Sequence, residues 1–458
     1  MKSVCTCLLV LSASIVTAAA DTGAPARPKI LFNRWQEDWS VLANPEVPRE
    51  RLDNLKYIPL TSDAYLSLGA NLRERFEAND AVSFGVHGSK PLEYVISRLE
   101  SHADLRWNSL QAFVQLQSDF APGKSRLTPV DQNRLDLEQA FLAYTAEIGG
   151  GTLRLRAGRQ QIGFDLQRFI SVRDGPNVRQ SYDALWADYE HGGWRFISFY
   201  SQPVQNRDLR TFDDYSSNHL TYGGVHAEYK FSDQSSVTVI LSQFKQDGAH
   251  FASVSGTELR NILDLRYAGQ VDDFDWDLEW MGQSGHIGDE SIKAWAMGLR
   301  SGYTISDIGW TPRLGLQIDA ASGDSNGRDK TLGTFNPLFP NGYYLALAGY
   351  TGYTNFIHLK SSVAVKPVPN LTAMLAVAAQ WRETTADAVY TQPNIPVPGT
   401  AGRGGSYTGT YVQTRLDWQI TPHFTAAVEA VRFQVADSIR QVGGHDGTYL
   451  GVEGKIGW

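Results

Sequence analysis

Apolar and polar side chains alternate with a period of two along most of this sequence. In residues 65–75 the apolar side chains share one face, and Arg73 and Arg75 lie on the other with shorter polar residues. Residues 274–280 and 371–382 repeat the pattern. Successive side chains of a β-strand point to opposite faces, so this alternation predicts strands with one apolar and one polar face.

The breaks between these strands are alternately short and long, as at 108–109 and 148–150 against 79–91 and 161–181. Tight periplasmic turns and longer extracellular loops are typical of outer-membrane barrels. We therefore predict an all-β fold, an 18-stranded antiparallel transmembrane β-barrel with both termini on the periplasmic side. The predicted strands are residues 64–78, 92–107, 110–119, 135–147, 151–160, 182–191, 193–202, 219–231, 234–245, 258–269, 272–283, 291–304, 310–320, 352–366, 369–383, 406–420, 423–436 and 446–458.

Residues 1–20 have the composition of a Sec-type signal peptide, as expected for export to the outer membrane of a Gram-negative bacterium. Lys2 supplies a positive charge, residues 4–16 are largely apolar, and residues 18–20 are small enough for a signal peptidase. The apolar run is shorter than the roughly 20 residues that a membrane-spanning helix needs. We predict a signal peptide at 1–20, a polar periplasmic N-terminal segment at 21–63 and a transmembrane barrel at 64–458.

The two cysteines of the chain, Cys5 and Cys7, both lie in the predicted signal peptide. A mature chain without cysteine excludes a disulfide scaffold, a thiolate metal site and a cysteine nucleophile. Removing Lys2 changes the formal charge from −8 to −9, since 41 − 1 basic residues then oppose 49 acidic ones. With no basic block in the sequence, a nucleic-acid partner is not expected.

The last predicted strand carries a signal of its own. Leu450, Val452, Gly454 and Ile456 occupy every second position, and the chain ends on the aromatic Trp458. This arrangement resembles the terminal strand that the barrel assembly machinery recognises, so we expect that machinery as a partner. Aromatic residues near strand ends are expected in the two interfacial girdles: Trp107, Trp194, Tyr303, Trp310, Tyr353, Trp381 and Trp458.

Short stretches spread over nearly all of the mature chain resemble the alginate-export family of outer-membrane barrels. As a set they are specific for the family and less so for its substrate. They are KYIPL at 56–60, YLSLG at 65–69, LRER at 72–75, FVQLQ at 113–117, RLDL at 134–137, GRQ at 158–160, SVRDGPNVR at 171–179, ASGD at 321–324 and TFNPLFP at 334–340.

The resemblance implies a monomeric barrel with a narrow, arginine-rich constriction through which an anionic polysaccharide diffuses. Rings of arginine select for anions, and arginine matches carboxylates in a bidentate manner. The alternation places the strand arginines of the resulting candidate set inside the lumen, and residues 161–181 form a loop long enough to fold inward. The candidates are Arg73, Arg75, Arg98, Arg106, Arg154, Arg156, Arg159, Arg168, Arg173 and Arg179, with Asp136 and Glu138.

Each candidate arginine has an alternative reading as a lumen residue neutralised by an acid such as Glu100, Asp104, Asp136 or Glu138, because buried charges are usually paired. Basic residues also concentrate in the amino-terminal strands and acidic residues in the middle strands. The sequence therefore predicts a lumen polarised from one wall to the other. Anion selectivity follows only from the family resemblance.

The loop at 321–351 is long enough to have a function of its own. It contains Asp324, Asp329 and an apolar patch at 335–340, and Asp319 precedes it. Calcium prefers oxygen ligands, so these three carboxylates are a candidate calcium site, although their spacing matches no EF-hand loop. No other cofactor is expected.

Three classes of function remain open. The first is a passive channel for an anionic polysaccharide or oligosaccharide, acting in export or in uptake, and the second is a porin for small anionic solutes such as organic acids. The third is a barrel-embedded enzyme, which we do not expect. The G-x-S-x-G string at 323–327 lies in a polar loop without the strand-to-helix turn of a nucleophile elbow, and Ser101 and His102 are only sequence neighbours. Lipopolysaccharide and outer-membrane lipid are expected to surround the barrel.

Overall fold

The computed structural model describes residues 27–458, so the predicted signal peptide and its cysteines lie outside the described residues. Eighteen long antiparallel strands close into one barrel, because β1 pairs with both β2 and β18. The strands are β1 Ala64–Asn79, β2 Leu92–Trp107, β3 Leu110–Phe120, β4 Asn133–Ile148, β5 Gly151–Gln160, β6 Tyr182–His191, β7 Trp194–Pro203, β8 Leu220–Ser232, β9 Ser235–His250, β10 Ser255–Val271, β11 Phe274–Ile287, β12 Glu290–Thr304, β13 Arg313–Ala321, β14 Phe356–Val368, β15 Leu371–Trp381, β16 Tyr407–Thr421, β17 Phe424–Val435 and β18 Gly447–Gly457.

The fold class and all eighteen predicted strands are confirmed. The largest difference in bounds lies between β9 and β10, which pair up to His250↔Ser255 and leave only residues 251–254 as a loop. A β-bulge between Gln246 and Ala249 interrupts the side-chain alternation there while the strands stay paired. At β13 the predicted start is three residues early, because Trp310 and Thr311 adopt left-handed turn conformations.

The two ends of the barrel differ in their connections. The tight turns, such as 108–109 and 149–150, lie at one end of the barrel, where the barrel sequence also begins and finishes. We call this the turn end. The opposite end, with long connections such as 161–181, 322–355 and 382–406, is the loop end. This alternation of short and long connections matches the prediction.

The two faces of the barrel wall have the polarity expected of a membrane protein. Large apolar side chains face outward and are exposed, as for Leu142 at 66% and Leu185 at 63%. Charged side chains face inward and are buried, as for Arg75, Arg98 and Arg260 at 1% or less. An apolar outside and a polar inside suit a lipid surrounding.

The remaining elements are short and lie in the N-terminal segment and the loop-end connections. Among the described residues, no helix is long and apolar enough to cross a membrane. These elements are the 3₁₀ helices Arg34–Gln36, Ser40–Ala43 and Val82–Gly88, the α-helices Asp53–Lys56 and Asp437–Arg440, and the strands Ile58–Pro59, Thr331–Leu332, Tyr390–Thr391 and Ile395–Pro396.

The predicted aromatic girdle is supported at the turn end. Trp107, Trp194, Tyr303 and Trp310 lie beside the turns there and are 47–61% exposed. Tyr353 contradicts the prediction, because it is 1% exposed and packs inside the barrel among the rings of the loop end. The alternation of β18 also has the predicted polarity, with its aliphatic side chains outward, while recognition by the assembly machinery stays a prediction.

Candidate transport pathway

The long connection between β5 and β6, residues 161–181, folds into the lumen, and we call it the crossing loop. At one wall Arg73 of β1 donates from Nη1 to the carbonyl oxygen of Asp174 (2.9 Å). Arg98 of β2 donates from Nε to the carbonyl oxygen of Asn177 (2.8 Å). At the other wall Arg168 of the loop forms an ion pair with Glu279 of β11. The loop thus spans the barrel from β1–β2 to β11.

The crossing loop is complementary in charge to both walls. Its Asp174 meets the basic wall, at 2.6 Å from Arg98 Nη1 and 3.6 Å from Lys455 Nζ. Its Arg168 meets the acidic wall, where Asp277 lies 3.3 Å away in addition to Glu279. Each charged end of the loop is therefore opposite in sign to the wall side chains that it contacts, and this sets the direction in which the loop crosses the lumen.

Asp174 is the acidic residue through which the crossing loop contacts the basic wall. Burial alone would raise its pKa, but Arg179, Lys455 and Arg98 hold the pKa of this carboxyl well below its usual value. An Asp174 that stays ionised at every physiological pH keeps the loop attached to the wall.

Eight of the ten candidate arginines lie within 4.0 Å of a carboxylate, including the four acids named as alternatives in the sequence. Paired arginines of this kind hold the wall and the crossing loop together, since a buried charge is retained only with a partner. The pairs are Arg73–Glu453, Arg75–Glu429, Arg98–Asp174, Arg106–Asp104, Arg154–Glu190, Arg159–Asp183 with Asp136, Arg168–Glu279, and Arg179–Glu100 with Glu138.

The other two candidates, Arg156 and Arg173, have no carboxylate within 4.0 Å among residues 27–458. Arg156 on β5 lies against aromatic rings, 4.4 Å from the centre of Trp35 and 5.2 Å from that of Trp186. Arg173 on the crossing loop donates to the carbonyl oxygen of Leu338 (3.2 Å). Both side chains are only partly buried. These two arginines therefore have charge left over for an anion.

The N-terminal segment, described from residue 27 to 63, lies inside the turn-end mouth of the barrel. Arg106 of β2 donates from Nη2 to the carbonyl oxygens of Trp35 (2.7 Å) and Glu37 (2.8 Å). Gln111 of β3 donates to the same Trp35 oxygen (2.8 Å). Buried Arg34 donates to Asn71 Oδ1 of β1 (2.8 Å). The N-terminal segment predicted at 21–63 is thus hydrogen-bonded to the inner wall over its described part.

Aromatic rings of the N-terminal segment cover two of the candidate arginines. Phe32 lies beneath Arg179, with 4.3 Å between the guanidinium carbon and the ring centre. Trp35 covers Arg156 and meets the ring of Phe141 edge-on at 5.8 Å. The aromatic residues of this otherwise polar segment were the sequence signal for such docking, although their targets were not predictable from it.

Lys56 is the most perturbed group of the N-terminal segment. Its side chain is 2% exposed, its Nζ has no hydrogen-bond partner among the described residues, and it lies 5.2 Å from the centre of the Trp39 ring. Burial, with a smaller effect from the charge of Arg34, lowers the pKa of Lys56 to about 7. The docked segment therefore favours a neutral Lys56 at neutral and higher pH.

The connection between β13 and β14, residues 322–355, also folds inward and packs against the crossing loop. Ser171 of the crossing loop donates its N–H to the carbonyl oxygen of Phe339 (2.9 Å). Tyr344 accepts from Arg168 Nε (2.7 Å) and donates to Asp319 Oδ1 (2.9 Å). The apolar patch singled out at 335–340 thus belongs to the largest apolar cluster of the lumen.

The predicted calcium site is not assembled. Asp319 faces the lumen and bonds Tyr344 and His358, whereas Asp324 lies in the loop-end connection beside Ser253. Among residues 27–458, the acids that bring ligand oxygens within 4.8 Å of one another are Asp136, Asp213 and Asp214 instead. Most of their oxygens already accept hydrogen bonds from the chain. Asp136 Oδ2, for example, accepts from the backbone N–H groups of Asp213 and Asp214.

The two serine arrangements weighed for an enzyme do not form a catalytic group. Ser101 and His102 point to opposite faces of β2, and the His102 ring stacks on Phe113 at 5.6 Å. The G-x-S-x-G string at 323–327 runs through irregular backbone after β13, with no helix following it.

Comparison with known proteins gives one family and a set of structural relatives. The family model described as Alginate export matches residues 64–453. No curated protein sequence matches the chain significantly.

The structural relatives are outer-membrane proteins of low sequence identity. OccAB4 of Acinetobacter baumannii aligns with a TM-score of 0.59 at 10% identity, over 87% of this chain and 98% of that one. OpdK of Pseudomonas aeruginosa gives 0.56 at 12% identity, over 88% and 100%. A BenF-like porin of Pseudomonas fluorescens Pf-5 gives 0.57 at 12% identity, over 87% and 100%. At such identities the likeness shows the shared barrel fold.

Proposed function

The chain belongs to the alginate export family, and on that basis we propose that it is a passive outer-membrane channel for an anionic polysaccharide or its fragments. The observation that carries the proposal is the pair of lumen arginines, Arg156 and Arg173, which have no carboxylate within 4.0 Å in the described part of the chain. The other eight candidate arginines are paired, and their role in the proposal is to hold the pathway open in one shape.

The positions of the two arginines suit a charged chain that moves through the barrel. Arg156 lies on β5, two residues farther from the tight turn at 149–150 than Arg154 does. Arg173 lies deeper in the lumen, on the crossing loop. Arginine binds carboxylates through two parallel N–H donors, as uronate units require. Two weak sites in series allow an anion to enter and to leave again, which conduction needs.

In this proposal the N-terminal segment is the gate at the turn end. Long loops of outer-membrane barrels face the outside, so the turn end and the N-terminal segment face the periplasm. Trp35 covers Arg156, so the segment must leave the mouth before an anion reaches that guanidinium. A passive channel conducts both ways, and export or uptake then depends on where the polymer is made.

A second candidate function is a porin for small anionic solutes such as organic acids. The observation that favours it is the attachment of the crossing loop at both walls, through Arg98 on one side and Glu279 on the other. A loop held at two ends narrows the lumen for a polymer more than for a small acid.

Planar-bilayer conductance of refolded residues 21–458, in a Trp35→Ala background that uncovers Arg156, tests both candidates. We expect the reversal potential to show an anion-selective pore, and we expect uronate oligomers to block the current. Neutral glucan oligomers of equal length are the control and should not block it. Arg156→Gln and Arg173→Gln should each weaken the block about tenfold, the loss of one charge-assisted contact. Arg134→Gln, an exposed arginine outside the lumen, is the matched control.

The outcomes separate the candidates. Block by uronate oligomers that is lost in both lumen variants supports the polysaccharide channel. Unchanged conductance with uronate oligomers, together with a response to acetate or benzoate, rejects it in favour of the small-anion porin. A cation-selective pore rejects both.

A further inference from the structure

The outer surface of β9–β12 changes from apolar to polar between two adjacent rows of directly paired residues. The row nearer the turn end runs Leu241, Leu263, Gly282 and Trp295. The row nearer the loop end runs Gln243, Asn261, Ser284 and Lys293. Both rows face outward, where the barrel wall meets lipid, so their boundary marks the level at which acyl chains give way to headgroups.

A groove of about 660 Å³ crosses this boundary. It exists because the apolar row contains Gly282, which leaves a gap between the side chains of Leu263 and Trp295. The ring of Trp280 lies over the glycine, and a Cβ at that position would come within 2.6 Å of the ring. The walls are therefore apolar toward the turn end and polar toward the loop end.

The polar end of the groove carries a free positive charge. Lys293 is exposed, and among residues 27–458 it has no carboxylate within 4.0 Å of its ammonium. Asn261 accepts a hydrogen bond from Gln243 Nε2 (2.9 Å), while its own amide group and the exposed Ser284 hydroxyl remain available beside Lys293. In the next row toward the loop end, Lys245 is neutralised by Asp247 at 3.4 Å. Lys293 thus marks where an anion would bind.

We propose that this groove binds one lipopolysaccharide molecule of the outer leaflet. One acyl chain lies along Gly282 and Trp280, a phosphate of the sugar headgroup pairs with Lys293, and sugar hydroxyls reach Asn261 and Ser284. The proposal requires only that the loop end faces outward. It does not depend on what passes through the lumen.

The affinity of such a site comes from the headgroup. Lipid chains surround the barrel everywhere, so seating a chain in the groove adds van der Waals contacts but no transfer from water. A lysine near an anionic lipid surface contributes a factor of about five in binding. The groove therefore selects the position, and Lys293 selects the phosphorylated headgroup.

Native mass spectrometry of the refolded full barrel in detergent tests the site. The probes are diphosphorylated lipid A, the same lipid without phosphates, and phosphatidylglycerol. We expect one tightly bound diphosphorylated lipid A and about fivefold weaker binding in Lys293→Gln. We expect about threefold weaker binding in Gly282→Val, whose side chain would push the Trp280 ring off the glycine and change the shape of the groove. Lys90→Gln, an exposed lysine in another loop-end connection, is the matched control and should bind as the parent does.

Equal binding of lipid A in the parent and in Lys293→Gln would overturn the proposal. An equal loss in Lys90→Gln would overturn it as well, because the effect would then be one of overall charge. If phosphatidylglycerol binds as tightly as lipid A, the groove takes any anionic lipid and the assignment is wrong. Heat-modifiable migration on gels shows that each variant forms the barrel, and unchanged conductance separates this result from that of the channel test.

Discussion

Removing one indole ring should release the N-terminal segment from the barrel mouth. In Trp35→Ala the segment loses the contact with Arg156 at 4.4 Å and the edge-on contact with Phe141 at 5.8 Å. A partly desolvated cation–π contact contributes about 1 kcal/mol, an aromatic pair about 1 kcal/mol, and the partial burial of the ring about 1 kcal/mol. A loss of about 3 kcal/mol raises the undocked fraction on the order of a hundredfold.

The assay uses the absence of cysteine after residue 7. Val47→Cys introduces a single thiol at a position that is 1% exposed and packs with Tyr65 of β1, so undocking of the segment exposes the thiol to a maleimide. When docking and undocking are fast compared with labelling, the labelling rate is proportional to the undocked fraction. Trp35→Ala in this background should label about a hundredfold faster, as estimated above from the lost contacts.

The matched control is Trp107→Ala, which removes an indole of the turn end that is 55% exposed on the outer surface. Its labelling rate should equal that of the parent. Labelling of Trp35→Ala within threefold of the parent would refute the reasoning, since the ring contacts would then contribute little to docking. An equal acceleration in Trp107→Ala would show instead that any loss of an interfacial tryptophan loosens the barrel.

Three further perturbations test other parts of the structure. Lys56 has a pKa of about 7 when docked and an ordinary value of 10.5 when free, so the undocked form binds more protons between these values. Docking should strengthen as pH rises from about 7 to 10.5 and level off below 7. The Val47→Cys labelling rate, divided at each pH by the rate of Lys56→Met in the same background, should fall over this range, because the division removes the pH dependence of thiol ionisation. Glu453→Gln leaves buried Arg73 without its carboxylate at 2.6 Å and should lower the free energy of unfolding in urea by about 3 kcal/mol, whereas exposed Glu74→Gln should leave it unchanged. Gly158→Ala should not refold to a heat-modifiable barrel, because the φ angle of Gly158 is +127° and the added Cβ would lie 2.3 Å from the carbonyl oxygen of Ala140. The control is Ala157→Gly, at an exposed position, which should refold.

The eighteen strands could be predicted from the sequence because both of their signals are local. Alternation is visible within each strand, and loop length is visible between consecutive strands. Where a local feature interrupts the pattern, the prediction for that residue or strand end is wrong. The bulge between Gln246 and Ala249 hides the end of β9, and the aromatic Tyr353, placed at a strand end by its position alone, belongs to an inward loop.

The candidate site was likewise predictable only in part from the sequence. The inward direction of the strand arginines and the polarity of the lumen follow from alternation and composition. Which arginine keeps a free charge does not, because most of the carboxylate partners come from other parts of the chain. Arg73 and Glu453 are 380 residues apart, and Arg168 and Glu279 are 111 apart.

The sequence by itself therefore determined a closed barrel with an apolar outside, a charged inside and a long loop next to the arginines of β5. Only the tertiary structure decided that the crossing loop binds both walls, that Trp35 covers Arg156, and that Arg156 and Arg173 have no carboxylate within 4.0 Å among residues 27–458. The physical reason is ring closure. Pairing β1 with β18 brings the two ends of the chain together around one lumen, and the charges meet there according to position in space rather than position in sequence.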